Sequence, residues 1–247
     1  MNEEKREQPG EIAATPLMKK LDNFWYHYKW QTLFGLFALV TAIILIVQFS
    51  GREKTDMDVL YAGPAVLRTQ TDITDVQNAF SHVAKDVNGD KKTSVGIVSY
   101  FYDMDFLSDP DNRDADIGLI KTNMDSNLEC YLAEVQTGDI QLFMVSPYLF
   151  ELVEKENGFV DAKELCPDLD LSGCFYVDEN GEEHTAGVLL SSLPFGELAG
   201  LSDLPADTVL CLRKPSLLQG WFNRSHAKEN HENAADAFVR AIRFGRE

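Results

Sequence analysis

The chain has no Cys-x-x-Cys pair, no His-Glu-x-x-His, no Gly-x-Ser-x-Gly and no Gly-rich loop ending in Lys-Ser or Lys-Thr. A dithiol oxidoreductase, a zinc ribbon, a zincin, an α/β-hydrolase and a P-loop nucleotide enzyme therefore all lack their sequence marks. Positive charge is scarce: 22 Lys and Arg stand against 40 Asp and Glu, for a net charge of -18. Sequence-independent binding to nucleic acid depends on cations that neutralise phosphates, so nucleic acid is excluded as a partner of that kind. Cysteine is limited to four positions, and the five histidines, His27, His82, His184, His226 and His231, are scattered. Glycine and proline, at 16 and 9, are too few for a collagenous or low-complexity chain. Among 40 acids, no pair can be assigned to glycoside hydrolysis without geometry.

What is present is ordinary globular composition, 45% hydrophobic and 25% charged, in 247 residues. That length fits one sizeable domain plus an appendage. The appendage is apolar: Leu33 to Phe49 carries no charge, and counting from Trp30 the run reaches 20 positions. As a helix it would measure about 30 Å, one bilayer crossing. Phe24, Trp25, Tyr26, Tyr28 and Trp30 precede it as an interfacial aromatic belt. Lys19, Lys20 and Lys29 on that side outnumber Arg52 and Lys54 on the other, which favours a cytoplasmic N-terminus. No small-x-small cleavage site follows Val47 and no cysteine is there for lipidation, so an uncleaved anchor is expected. The expected order is a disordered cytoplasmic tail at 1–14, an interfacial helix at 15–29, a transmembrane helix at 30–49, a linker at 50–56 and an extracytoplasmic domain at 57–247. Pro16 at the first helical position, with Thr15 as cap, would open the interfacial helix.

Within the external domain, extended and helical signals alternate, which predicts an α/β fold of three layers. MDVLYAGP at 57–64 and SVGIVSYF at 94–101 read as strands. Between them Ile73, Val76, Ala79, Phe80 and Val83 recur at helical spacing, with Thr71 or Asp72 as cap. Residues 122–136 repeat that spacing and close at Gly138. IQLFMVS at 140–146 is apolar enough for a strand buried on both faces, and Pro147 starts a helix over 147–155. Strands are expected at 184–192 and 208–214, a hairpin turning at Glu179-Asn180-Gly181-Glu182, and an amphipathic helix over 230–243.

In open α/β sheets, ligands bind beyond the carboxyl ends of strands. That rule marks Gly63, Pro64, Tyr102, Asp103, Ser146, Tyr148, Ser191 and Ser192 as candidate ligand-binding residues. Asp86, Asn88 and Asp90 have the alternating oxygens that open a calcium loop, but Lys91 and Ile97 stand where glycine and glutamate belong. A plain Asn-Gly-Asp turn is therefore preferred. Asp103, Asp105, Asp109, Asp111, Asp114 and Asp116 form a second acidic stretch, read as a solvated loop. Cys130, Cys166, Cys174 and Cys211 form up to two disulfides or remain buried thiols, with Cys166 and Cys174 positioned to close a short loop. Asn223-Arg224-Ser225 matches a glycosylation sequon and is read as chance.

The run VLYAGP, a helix, SVGIVSYF and then NLECYLAEVQTGDIQLFMVSPYLFELVEKENGFVDAKEL resembles the N-terminal lobe of extracellular solute-binding proteins of bacterial ABC importers. The matching positions are Gly138, Asp139, the strand Ile140 to Val145, Ser146, Tyr148 and Gly158 to Leu165, and the resemblance covers residues 57–165. KKLDNFWYHYKW and VLYAGP are also similar to the openings of single-span membrane proteins of Gram-positive bacteria. The resemblance implies a solute-binding-like lobe held at the cell membrane, without catalysis and without a cofactor. Two other readings stay open: an accessory envelope protein that docks a protein partner, and a cell-wall polymer hydrolase. A binder needs a cleft at the strand ends, an accessory protein an exposed apolar patch, and a hydrolase two carboxylates at catalytic distance.

Overall fold

A computed structural model describes residues 16–50, 55–65, 67, 69–108, 117–137, 139–215 and 224–246. Within the helices, the side chains at 16–23, 27, 45–50, 117, 137 and 224–227 are outside the description. The chain divides into two compact units, Met1–Glu53 and Lys54–Glu247.

The first unit is one helix, α1 (Pro16–Ser50). The residues expected as an interfacial helix and those expected as a span form one continuous helix. No glycine or proline occurs between Leu17 and Phe34 to break the backbone ladder there. Thr41 donates its hydroxyl back to the Phe37 carbonyl at 2.9 Å, so it leaves no polar group unsatisfied. Trp30, Leu33, Phe34, Leu36, Phe37, Leu39, Val40, Ile43 and Ile44 are all exposed. Among the described residues, no helix is long and apolar enough to cross a membrane. The described side chains of α1 end at Ile44, whereas the uncharged run of the sequence continues to Phe49.

The second unit is a mixed α/β domain around a six-stranded sheet. Its elements are β1 (Met57–Gly63), α2 (Gln70–Ser81), β2 (Val95–Phe101), α3 (Met104–Ser108), α4 (Ile117–Thr137), β3 (Leu142–Val145), α5 (Pro147–Glu154), α6 (Ala162–Leu165), β4 (Phe175–Val177), β5 (Glu183–Leu189), β6 (Val209–Leu212) and α7 (Arg224–Arg243). The sheet order is β2-β1-β3-β6-β5-β4. β2, β1 and β3 run parallel, and β6, β5 and β4 continue the sheet antiparallel.

Pattern explains the arrangement. β1, β3 and β6 are apolar almost throughout because both of their faces are covered. Val59, Tyr61, Met144 and Leu210 face one side, where they join Val76 and Phe80 of α2 and Ala237, Phe238 and Ala241 of α7. Leu60, Ala62, Phe143, Val145 and Cys211 face the other, with Tyr131 of α4 and Leu149 and Phe150 of α5. The helix α2 starts earlier than expected. Thr69, not Thr71 or Asp72, is its cap: Thr69 Oγ1 accepts from Asp72 N at 3.1 Å and the Asp72 carboxylate accepts from Thr69 N at 3.0 Å. The strand expected over 184–192 ends at Leu189, and Leu190–Ser192 turn into a 3-10 helix. Asp56, expected in the linker, belongs to the domain. Its carboxylate accepts from the amides of Val87, Asn88 and Ser94 and so ties the start of β1 to the turn before β2.

Candidate functional site

The parallel strands end level with one another, Gly63 opposite Phe101 and Ala62 opposite Val145. Two backbone bonds then fold the departing chains over that edge. Tyr102 N donates to the Gly63 carbonyl and Ser146 N donates to the Ala62 carbonyl, each at 2.9 Å. Ser146 is the N-cap of α5, and Pro147 with its preset φ starts the helix. Tyr148 follows in the first turn and stacks on Tyr102, with ring centroids 5.7 Å apart and an interplanar angle of 11°. Gly63, also expected at the site, is not among the residues that line the cleft at this edge, and its lack of a side chain leaves room for the Tyr61 hydroxyl. A Cβ there would lie 2.7 Å from Tyr61 Oη, which accepts a bond from Ala65 N at 2.9 Å.

Tyr102, Asp103, Ser146 and Tyr148 line one cleft of about 530 Å³. Sequence reasoning put these four and Pro64 at strand ends, and the structure brings all five together along the cleft. The rest of the wall comes from the β4–β5 hairpin and from Glu151 further along α5, which sequence reasoning did not connect to the site. Tyr176 of β4 donates its hydroxyl to Glu151 Oε1 of α5 at 2.7 Å. The hairpin turn is held by Asp178 Oδ1, which accepts from Asn180 N at 2.9 Å and Glu182 N at 2.7 Å, with Gly181 at φ +82°. Glu179 and Asp207 complete the rim.

The site is acidic and aromatic. Its lining includes Asp103, Asp105, Glu151, Asp178, Glu179 and Asp207, and among the described residues no lysine or arginine. The backbone N–H of Glu182 and the Asn180 amide hold Asp178 below the usual carboxylate range. Burial pushes the Tyr102 phenol up to about 12, and the neighbouring Tyr148 adds to the shift. Burial likewise raises Tyr176, helped by its bond to Glu151. Behind this wall His184 Nδ1 lies 2.5 Å from Glu154 Oε2, and its Nε2 lies 3.7 Å from Asp178 Oδ2.

The remaining sequence candidates lie elsewhere. Ser191 and Ser192 do not line the cleft, because their hydroxyls are used to satisfy the backbone after β5. Ser191 Oγ donates to the Ala206 carbonyl and Ser192 Oγ to the Leu189 carbonyl, each at 2.6 Å. Asp86, Asn88 and Asp90 turn their oxygens onto their own loop, accepting from Gly89 N, Asp90 N and Lys92 N respectively. Among the described residues, no group of three or more His, Cys, Asp or Glu is placed to hold a metal. All four cysteines are free thiols, Cys130 exposed and Cys166, Cys174 and Cys211 buried. Arg246 Nη2 lies 3.2 Å from Cys174 Sγ, and burial raises the Cys166 thiol against the opposing pull of Arg243. Asp109, Asp111, Asp114, Asp116 and Asn223 lie outside the described residues. Comparison of the chain with protein-family models, with curated proteins and with solved structures finds no match.

Proposed function

We propose that this chain is a membrane-anchored binding module whose extracytoplasmic domain holds a small solute in the tyrosine-walled cleft without transforming it. The observation that carries the reading is the convergence of Tyr102, Asp103, Ser146 and Tyr148 on one 530 Å³ concavity at the carboxyl ends of parallel strands, where open α/β sheets take their ligands. Burial raises the Tyr102 and Tyr176 phenols further above their ordinary value of about 10, so at neutral pH they stay protonated as hydrogen-bond donors, which suits holding a ligand better than shuttling protons. The anchor rests on the uncharged run from Trp30 to Phe49 and on the large apolar side chains exposed along α1, which water would not tolerate. The excess of lysine before that run gives the orientation, N-terminus cytoplasmic.

The test is thermal melting of the detergent-solubilised full chain against sugars, amino acids, short peptides and amines. A ligand that binds only the folded state raises the midpoint. The expected result is a rise with one chemical class that disappears in Tyr148→Ala. A midpoint that no class moves overturns the reading.

A further inference from the structure

Resting on the reading of the cleft as a solute site, we infer that its solute is an organic cation, an amine or quaternary ammonium seated against the Tyr102–Tyr148 stack and ringed by carboxylates. Three observations converge. First, the two rings are stacked and nearly parallel, and Tyr148 is 40% exposed. A π face open to a cleft attracts a cation through its quadrupole and gives an anion nothing. Second, six carboxylate residues line the same cleft, and among the described residues no lysine or arginine lines it. Glu151 has Lys155 at 3.8 Å and Asp178 has His184 at 3.7 Å, while Asp105, Glu179 and Asp207 form no salt bridge with a described residue. The sign is local and not simply the average of an acidic chain. A separate groove of the same domain, lined by His82, Arg240, Arg243 and Arg246, has no acidic lining residue among the described residues.

Third, the acids ring the cleft without converging. A calcium ion takes six to eight oxygens on one point at about 2.4 Å, and among the described residues no three acidic side chains are gathered for that. Carboxylates dispersed about a 530 Å³ space fit a charge spread over a larger body, one that also presents apolar carbon to Tyr102, Met104 and Pro147. Low-dielectric walls and one sign of charge also raise the local concentration of such a cation, an effect that salt weakens.

The experiment is calorimetric titration of the full chain in detergent with matched sets of probes: phenethylamine, a polyamine and a choline-type quaternary ammonium, their neutral alcohol or amide isosteres, the corresponding carboxylates, and calcium alone. The inference expects binding by at least one ammonium probe, at least tenfold weaker binding by its neutral isostere, and a further loss of about tenfold in Glu179→Gln/Asp207→Asn. Both residues are exposed, so folding is not at risk. Saturation by a neutral or anionic probe, lost in Tyr148→Ala, would leave the cleft a solute site and overturn the cation. Calcium binding without amine binding would overturn it as well. No heat from any probe would remove both the cation and the solute site.

Discussion

Arg213 is 1% exposed at the end of β6, yet its guanidinium is not stranded. Nη1 donates to the carbonyls of Glu134 and Val135 at 2.9 and 2.8 Å and so closes the last turn of α4. Arg213→Met keeps much of the volume but leaves buried carbonyls without that donor. The expected loss of stability is about 3 kcal/mol, measured by urea unfolding. The sequence TVLCLRK announces a strand but not this role, because the helix that Arg213 caps lies far back in the chain. Asp56 shows a pH-linked version of the same dependence. Burial pushes its carboxyl up, but amides of Ser94, Val87 and Asn88 outweigh that and the net shift is downward. A group depressed in the folded state stabilises fully above its unfolded pKa, about 4, and that contribution is lost as pH falls through the folded value. Asp56→Ala is therefore expected to lower the melting midpoint at pH 7, by an amount that shrinks as the pH is taken below 4. A penalty independent of pH would contradict the assignment.

At the scale of elements, most boundaries were legible because burial imposes periodicity. MDVLYAG and IQLFMV could only be buried strands, and Val76, Ala79 and Phe80 could only face a core from a helix. Caps were harder, since Thr71 and Asp72 look as suitable as Thr69 until the reciprocal bonds are seen. Thr69→Ala removes one half of that capping box and is expected to cost about 1 kcal/mol. α4 starts at Ile117, before the helical spacing expected from residue 122, and Gly118 lies inside its first turn. Gly200 carried no pattern at all, yet it fixes the approach of a loop to α2. Its φ is +82°, and a Cβ there would lie 2.7 Å from Val76 N. Gly200→Ala should destabilise the domain by more than 1 kcal/mol in urea unfolding, since neither the backbone angle nor the contact can be relieved by a side-chain rotation.

At the scale of the whole molecule, half of the cleft was readable and half was not. Residues just past parallel strands are local to their strands, so Tyr102, Asp103, Ser146 and Tyr148 could be named in advance. Tyr176, Asp178 and Glu179 arrive through the β3-β6-β5-β4 order, which depends on long-range antiparallel pairing that no local pattern records. The proposed membrane anchor has its own test. The full chain should stay in the pellet after alkaline carbonate extraction of membranes, whereas a chain lacking residues 30–49 should be released. The central claim, a small solute against the tyrosine wall, is tested most directly by NMR of the full chain carrying ring-labelled tyrosine, its eight ring signals assigned by single Tyr→Phe variants. Added to a pool of amines, the account predicts movement of the Tyr102, Tyr148 and Tyr176 signals while those of Tyr61 and Tyr131, buried under the sheet faces, stay in place. Still signals at Tyr102, Tyr148 and Tyr176 with amines and with every other solute class would contradict it.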